Sequence, residues 1–76
     1  MTGEVGPVRE VEVDMRRLVA RLPQSYREAL MLAAAGDFTF DEMSAALGVP
    51  AGTLKWRVSE ARRQLREKLR ALGYQG

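Results

Sequence analysis

Apolar residues recur along this chain at steps of three and four, the spacing that lines one face of a helix. Val11, Met15, Leu18, Val19 and Leu22 form the first such stripe and predict a helix from about Arg9 to Leu22. Pro23 closes it, because the residue before a proline is pushed out of helical geometry. Tyr26, Ala29, Leu30 and Ala33 form the next stripe, with Ser25 and Glu28 at capping-box spacing and Gly36 placed as a left-handed stop. Thr39 and Glu42 repeat the capping box, and Phe38 can staple onto Met43 across the same terminus. That short helix ends at Leu47 with Gly48 as its cap. After Val49 and Pro50 a helix restarts near Ala51 and runs to about Leu72, where Gly73 ends it. Met31, Leu32 and Met43 read as core or near-core. No segment alternates like a strand, so the expectation is an all-α, small four-helix domain.

Seventy-six residues suit one small domain. Residues 1–8, with Gly3, Gly6 and Pro7, read as a flexible tail or linker remnant, and residues 9–73 as the folded part. A 46% hydrophobic and 29% charged composition is that of a globular chain. The absence of Cys and His removes disulfides, thiolate nucleophiles, imidazole bases and His-ligated zinc. Ser44 and Ser59 therefore have no His to activate them, and the carboxylates form no metal-like cluster. The chain is not expected to be an enzyme or to hold a cofactor or metal. No apolar run approaches the ~18 residues of a membrane span, and the N-terminus lacks a signal-peptide apolar stretch. A cytoplasmic protein with no membrane partner and no small-molecule substrate is the expectation.

Charge changes the picture. Residues 1–50 carry five basic and eight acidic side chains, a net −3, whereas residues 51–76 carry seven basic and two acidic, a net +5. A basic final third points to a polyanion meeting one segment. Residues 39–70 read as a short helix, a Gly48-Val49-Pro50 turn and a long basic helix, the layout of a helix-turn-helix whose second helix enters the DNA major groove. On the wheel of that helix Leu54, Val58, Ala61 and Leu65 share a narrow inward arc. Gly52, Trp56, Ser59, Glu60 and Arg63 lie opposite, flanked by Lys55 and Arg66. Small residues at Ala51 and Gly52 allow a phosphate close to the helix N-terminus. Arg57, Arg62, Arg63 and Arg66 suit phosphate or guanine, whose acceptors match a guanidinium fork. Trp56 is expected to be exposed, free to stack on a sugar or base step or to lie in an interface. A run of Arg and Lys is more often a plain solvated face, so layout alone leaves a non-binding helical hairpin open.

Four stretches together carry a family resemblance. They are Leu22-Pro23-Gln24-Ser25-Tyr26-Arg27-Glu28-Ala29-Leu30, Phe40-Asp41-Glu42-Met43-Ser44-Ala45-Ala46-Leu47-Gly48-Val49-Pro50, Gly52-Thr53-Leu54-Lys55-Trp56-Arg57-Val58 and Ala61-Arg62-Arg63-Gln64-Leu65-Arg66. In this order and spacing the chain resembles region 4 of bacterial extracytoplasmic-function (ECF) sigma factors over about residues 15–70. LuxR-type regulators share the glycine-threonine-valine-lysine piece but not the leucine-proline-arginine-glutamate lead-in.

The resemblance implies a sigma4-type helix-turn-helix, winged-helix-like without a wing, whose helix from Ala51 reads the −35 element of double-stranded promoter DNA. It also implies docking on the β flap of the RNA polymerase core and a possible anti-sigma factor. By position, Pro50, Ala51, Gly52, Thr53, Lys55, Trp56, Ser59 and Glu60 match DNA-facing residues, and Arg57, Arg62 and Arg63 match basic positions at or near the DNA backbone. Two residues depart from the pattern. Trp56 stands where serine is common, and Glu60 stands where a basic residue is common. Glu60 would repel a phosphate but can accept from a cytosine amino group. Family members carry a second, −10-reading domain, so the expectation is a fragment of a longer factor, favoured by the Gly6-Pro7 stub, or a free-standing region 4 protein. The rival reading is a region-4-like interaction module that binds polymerase or an anti-sigma factor without reading DNA, which Glu60 and the acidic first half favour.

Overall fold

Helix stops set the architecture. The computed structural model describes the backbone of residues 6–74 and the side chains of residues 10–74. Four helices follow one another: α1 (Gly6–Arg21), α2 (Gln24–Ala35), α3 (Phe40–Leu47) and α4 (Ala51–Ala71). No strand occurs among the described residues, so the fold is all-α. Each expected glycine stop has positive φ: Gly36 at 79°, Gly48 at 69° and Gly73 at 104°. At the last of these, the Gly73 N–H donates to the Arg70 carbonyl and the Tyr74 N–H to the Leu69 carbonyl, each at 3.0 Å, a Schellman ending.

The core draws on every helix. Leu22, Ala29, Leu30, Met43, Leu54, Val58, Ala61 and Leu65 are buried, and Met15, Leu18, Val19, Tyr26, Phe40 and Leu47 pack against them. No buried polar or charged residue occurs among the described residues, so apolar contact carries the packing. α4 is the central element, lying against α1, α2 and α3, with α2 its most extensive neighbour. Two polar ties brace α1. Arg27 Nη1 donates to the carbonyls of Ala20 and Leu22, each at 3.2 Å, satisfying acceptors that the end of α1 leaves open. The Tyr74 hydroxyl donates to Asp14 Oδ2 at 2.8 Å and closes the far end of α4 onto α1. That carboxylate holds the Tyr74 phenol up to about 12, because ionisation would break the bond and set two negative charges together.

Several local expectations require correction. α1 begins at Gly6 rather than Arg9, so residues 6–8 are helical, and the rest of the expected tail, residues 1–5, lies outside the described residues. Ser25 does not cap α2. Pro23 occupies the N-cap and its carbonyl accepts from Arg27 N–H at 2.9 Å, so the helix starts two residues early and Ser25 already lies in its first turn. Glu28 is engaged instead by Gln24 Nε2 at 3.0 Å. The Thr39–Glu42 box does form, at 3.0 and 2.8 Å. At that terminus Phe38 keeps 49% of its surface exposed, and the ring packed on the core is Phe40. Met31 is not core but 59% exposed. It borders a cleft of about 670 Å³ between α1 and α2, left open because α1 leans on α4.

Candidate nucleic-acid interface

The unit formed by α3, its turn and α4 fixes where the basic side chains point. Gly48 ends α3 with its N–H donating to the Ser44 carbonyl at 2.9 Å. Its φ of 69° would strain any residue with a Cβ, so glycine is what lets the chain reverse here. Pro50 is extended, with φ −56° and ψ 142°, and precedes the first residue of α4 without a side-chain cap. Its carbonyl accepts the Leu54 N–H at 3.1 Å and starts the ladder.

On α4 the two sides separate as the wheel requires. Leu54, Val58, Ala61 and Leu65 are 0–4% exposed. Of the candidate residues Pro50, Gly52, Lys55, Trp56, Ser59, Arg62, Arg63 and Arg66 are exposed, and Ala51, Thr53, Arg57 and Glu60 are half-buried, with Arg57 and Arg62 on the two flanks of the buried arc. All twelve candidate residues thus lie on one helix or at its entry.

Three arrangements on this face go beyond what helical spacing predicts. Trp56, 58% exposed, has its indole edge-to-face with the Tyr26 ring, centroids 5.9 Å apart at 88°. The Lys55 Nζ lies 5.8 Å from the centroid of Phe40, so an α3 aromatic holds an α4 cation. Arg63 is not free: its Nε and Nη2 donate to Glu60 at 3.1 and 2.5 Å, and its Nη1 donates to Glu67 at 2.6 Å. Gln64 Nε2 adds a bond to Glu60 at 3.2 Å. Hydrogen bonds from Arg63, then from Gln64, hold the Glu60 carboxyl down to about 2, and the Glu60 carboxylate, then that of Glu67, raises the Arg63 guanidinium further. The i−3 and i+4 spacing around Arg63 was visible in the sequence. The spacing of Tyr26 marks it only as part of the buried stripe.

Chemically, this is a surface for anions. Among the described residues the only ion pairs are those of Arg63, so Lys55, Arg57, Arg62 and Arg66 are unpaired cations. The described residues contain no group of three or more Asp, Glu, His or Cys able to hold a metal. No described helix is long and apolar enough to cross a membrane.

Residues 12–65, from α1 through the buried arc of α4, match the family model of sigma-70, region 4. The chain belongs to this family. Among curated relatives, the region 4 domain is similar to the ECF RNA polymerase sigma factor EcfG of Rhodopseudomonas palustris, 40% identical over 52 residues covering 68% of this chain and 29% of the relative. It is also similar to the ECF RNA polymerase sigma factor RpoE of Cereibacter sphaeroides, 33% identical over 66 residues covering 87% of this chain and 36% of the relative. The chain spans about a third of the length of these relatives. No solved structure matches it significantly. This region 4 domain is thus of the ECF type, and catalysis is not the business of its family.

Proposed function

We propose that the domain binds double-stranded promoter DNA at the −35 element through the outer face of α4, docks on the β flap of RNA polymerase with other faces, and serves transcription initiation in the cytoplasm. One observation carries this reading. A single helix sets Lys55, Trp56, Ser59, Arg62 and Arg66 in solvent while its opposite arc is buried to 4% or less. Such a helix can lie against a duplex without disturbing the core. Pro50, Ala51, Gly52 and Thr53 bring the N-terminal turn, with its unpaired backbone amides, towards a phosphate. Lys55, Arg57, Arg62 and Arg66 neutralise the DNA backbone, and Trp56 lies across a sugar or base step. The half-open cleft lined by Met15, Val19, Ala20 and Met31 lies on α1 and α2 and leaves room for a protein partner, polymerase or an anti-sigma factor, apart from the DNA face.

The test is fluorescence anisotropy of labelled duplexes across a salt series. Each phosphate contact contributes a slope of about 0.9 in log affinity against log salt. Lys55→Ala and Arg62→Ala are each expected to flatten that slope by about one such contact. Binding insensitive to salt and to both substitutions overturns the DNA reading in favour of the interaction module, which the carboxylates around Arg63 also favour.

A further inference from the structure

The cluster at the middle of the outer face has the wrong charge for its surroundings. Glu60, Arg63 and Glu67 together bring two carboxylates to one guanidinium, a formal −1 flanked by Arg62 and Arg66. Of the five N–H donors of Arg63, three are engaged by these carboxylates, which leaves two for any other acceptor. Glu60 is held twice over, since Gln64 donates to the same oxygen as Arg63 Nη2.

We propose that Glu60 and Glu67 are specificity-determining residues that clamp and neutralise Arg63, so that phosphate gains little from its two remaining N–H groups unless it displaces a carboxylate, which suppresses binding to DNA of arbitrary sequence. This rests on the DNA-binding reading of α4 and deepens it. The argument is one of competition. Non-specific affinity is almost wholly phosphate contact and counterion release. A guanidinium already paired with carboxylates neutralises phosphate poorly and so frees few of the cations condensed on the DNA, and the clamp's net negative charge repels the backbone. A base edge is different, because a carboxylate accepts from a cytosine amino group and the two spare N–H groups of Arg63 match guanine acceptors. The clamp therefore penalises every duplex, and only a matching sequence offsets the penalty. As an intrahelical network at the surface, with Arg63 and Glu67 exposed, it adds little to folding stability, so its effect belongs to binding.

The experiment uses two duplexes: one selected from a random pool by the wild-type chain, and a scrambled version of it. Affinities are read by anisotropy over a salt series for the wild type, Glu60→Gln/Glu67→Gln, Arg63→Gln and the triple variant. The double variant is expected to bind the scrambled duplex about tenfold tighter, with a slope steeper by about 0.9, and to discriminate less between duplexes. In the Arg63→Gln background that gain is expected to shrink to the smaller part that comes from removing negative charge, since no guanidinium remains to be released. A gain of equal size with and without Arg63 would reflect net charge alone and overturns the proposal, as does no gain at all. Lys55→Ala separates the two levels. If it flattens the slope while the glutamate substitutions change nothing, the clamp fails and the DNA reading stands. If the wild type binds neither duplex in a salt-dependent manner, both fail.

Discussion

A Leu54→Ala variant is expected to melt on the order of 10–30 °C below the wild-type chain. Leu54 is 0% exposed, one of the two largest fully buried side chains, and sits in the first turn of α4. α2 and α3 both pack on that helix, so one truncation loosens two packings at once. Leu→Ala in a core costs about 2–5 kcal/mol, through lost transfer energy plus the cavity left behind. A domain of this size holds about 4–11 kcal/mol in total, so the loss is a large part of the whole. Each kcal/mol moves the Tm of so small a domain by about 4–8 °C. Thermal melts followed by far-UV circular dichroism read the result, with Met31→Ala as the comparison. Met31 is 59% exposed and its truncation should shift Tm little. A shift of only a few degrees for Leu54→Ala would mean that α4 does not organise the core.

Trp56→Ala is expected to show the opposite profile: an affinity for the selected duplex about tenfold lower, with a fall in Tm of only a few degrees. The indole is 58% exposed, so its truncation leaves no cavity in the core. What the fold loses is the edge-to-face contact with Tyr26, a pair worth about 0.5–1.5 kcal/mol beyond its area. What binding loses is a broad apolar surface already held in one orientation by that contact, so less freedom is surrendered on meeting DNA. Anisotropy and thermal melts on the same preparation separate the two effects. A large drop in Tm with unchanged binding per folded molecule would mean that Trp56 serves the core rather than the interface.

The contrast between these two residues shows what is legible in the sequence. The buried arc of α4 needs only the period of a helix, and Leu54, Val58, Ala61 and Leu65 fall where that period puts them. The stops at Gly36, Gly48 and Gly73 were equally plain, because positive φ is a local demand that glycine meets. Ser25 misled because two start signals overlap, and the proline two residues earlier begins the helix first. Met31 misled because the burial of one side of α2 depends on which helix closes over it, a tertiary matter that periodicity does not carry. The twelve candidate residues do gather on α4 and its entry. Their partners were harder to see. Tyr26 and Phe40 reach Trp56 and Lys55 from other helices, which only the packing of α2 and α3 on α4 brings about. The Arg63 clamp was written in the spacing, yet a wheel treats each side chain as separate and so counted a paired arginine as a free one.

The central claim is that the outer face of α4 meets DNA while the α1–α2 cleft stays clear of it. Amide chemical-shift mapping during titration with the selected duplex tests this most directly. The account predicts the largest perturbations at the amides of Ala51 to Trp56 and at the Trp56 indole N–H, with the amides of Met15, Val19 and Met31 unmoved. Perturbations concentrated around Met15, Val19 and Met31, with the first turns of α4 unchanged, would contradict it.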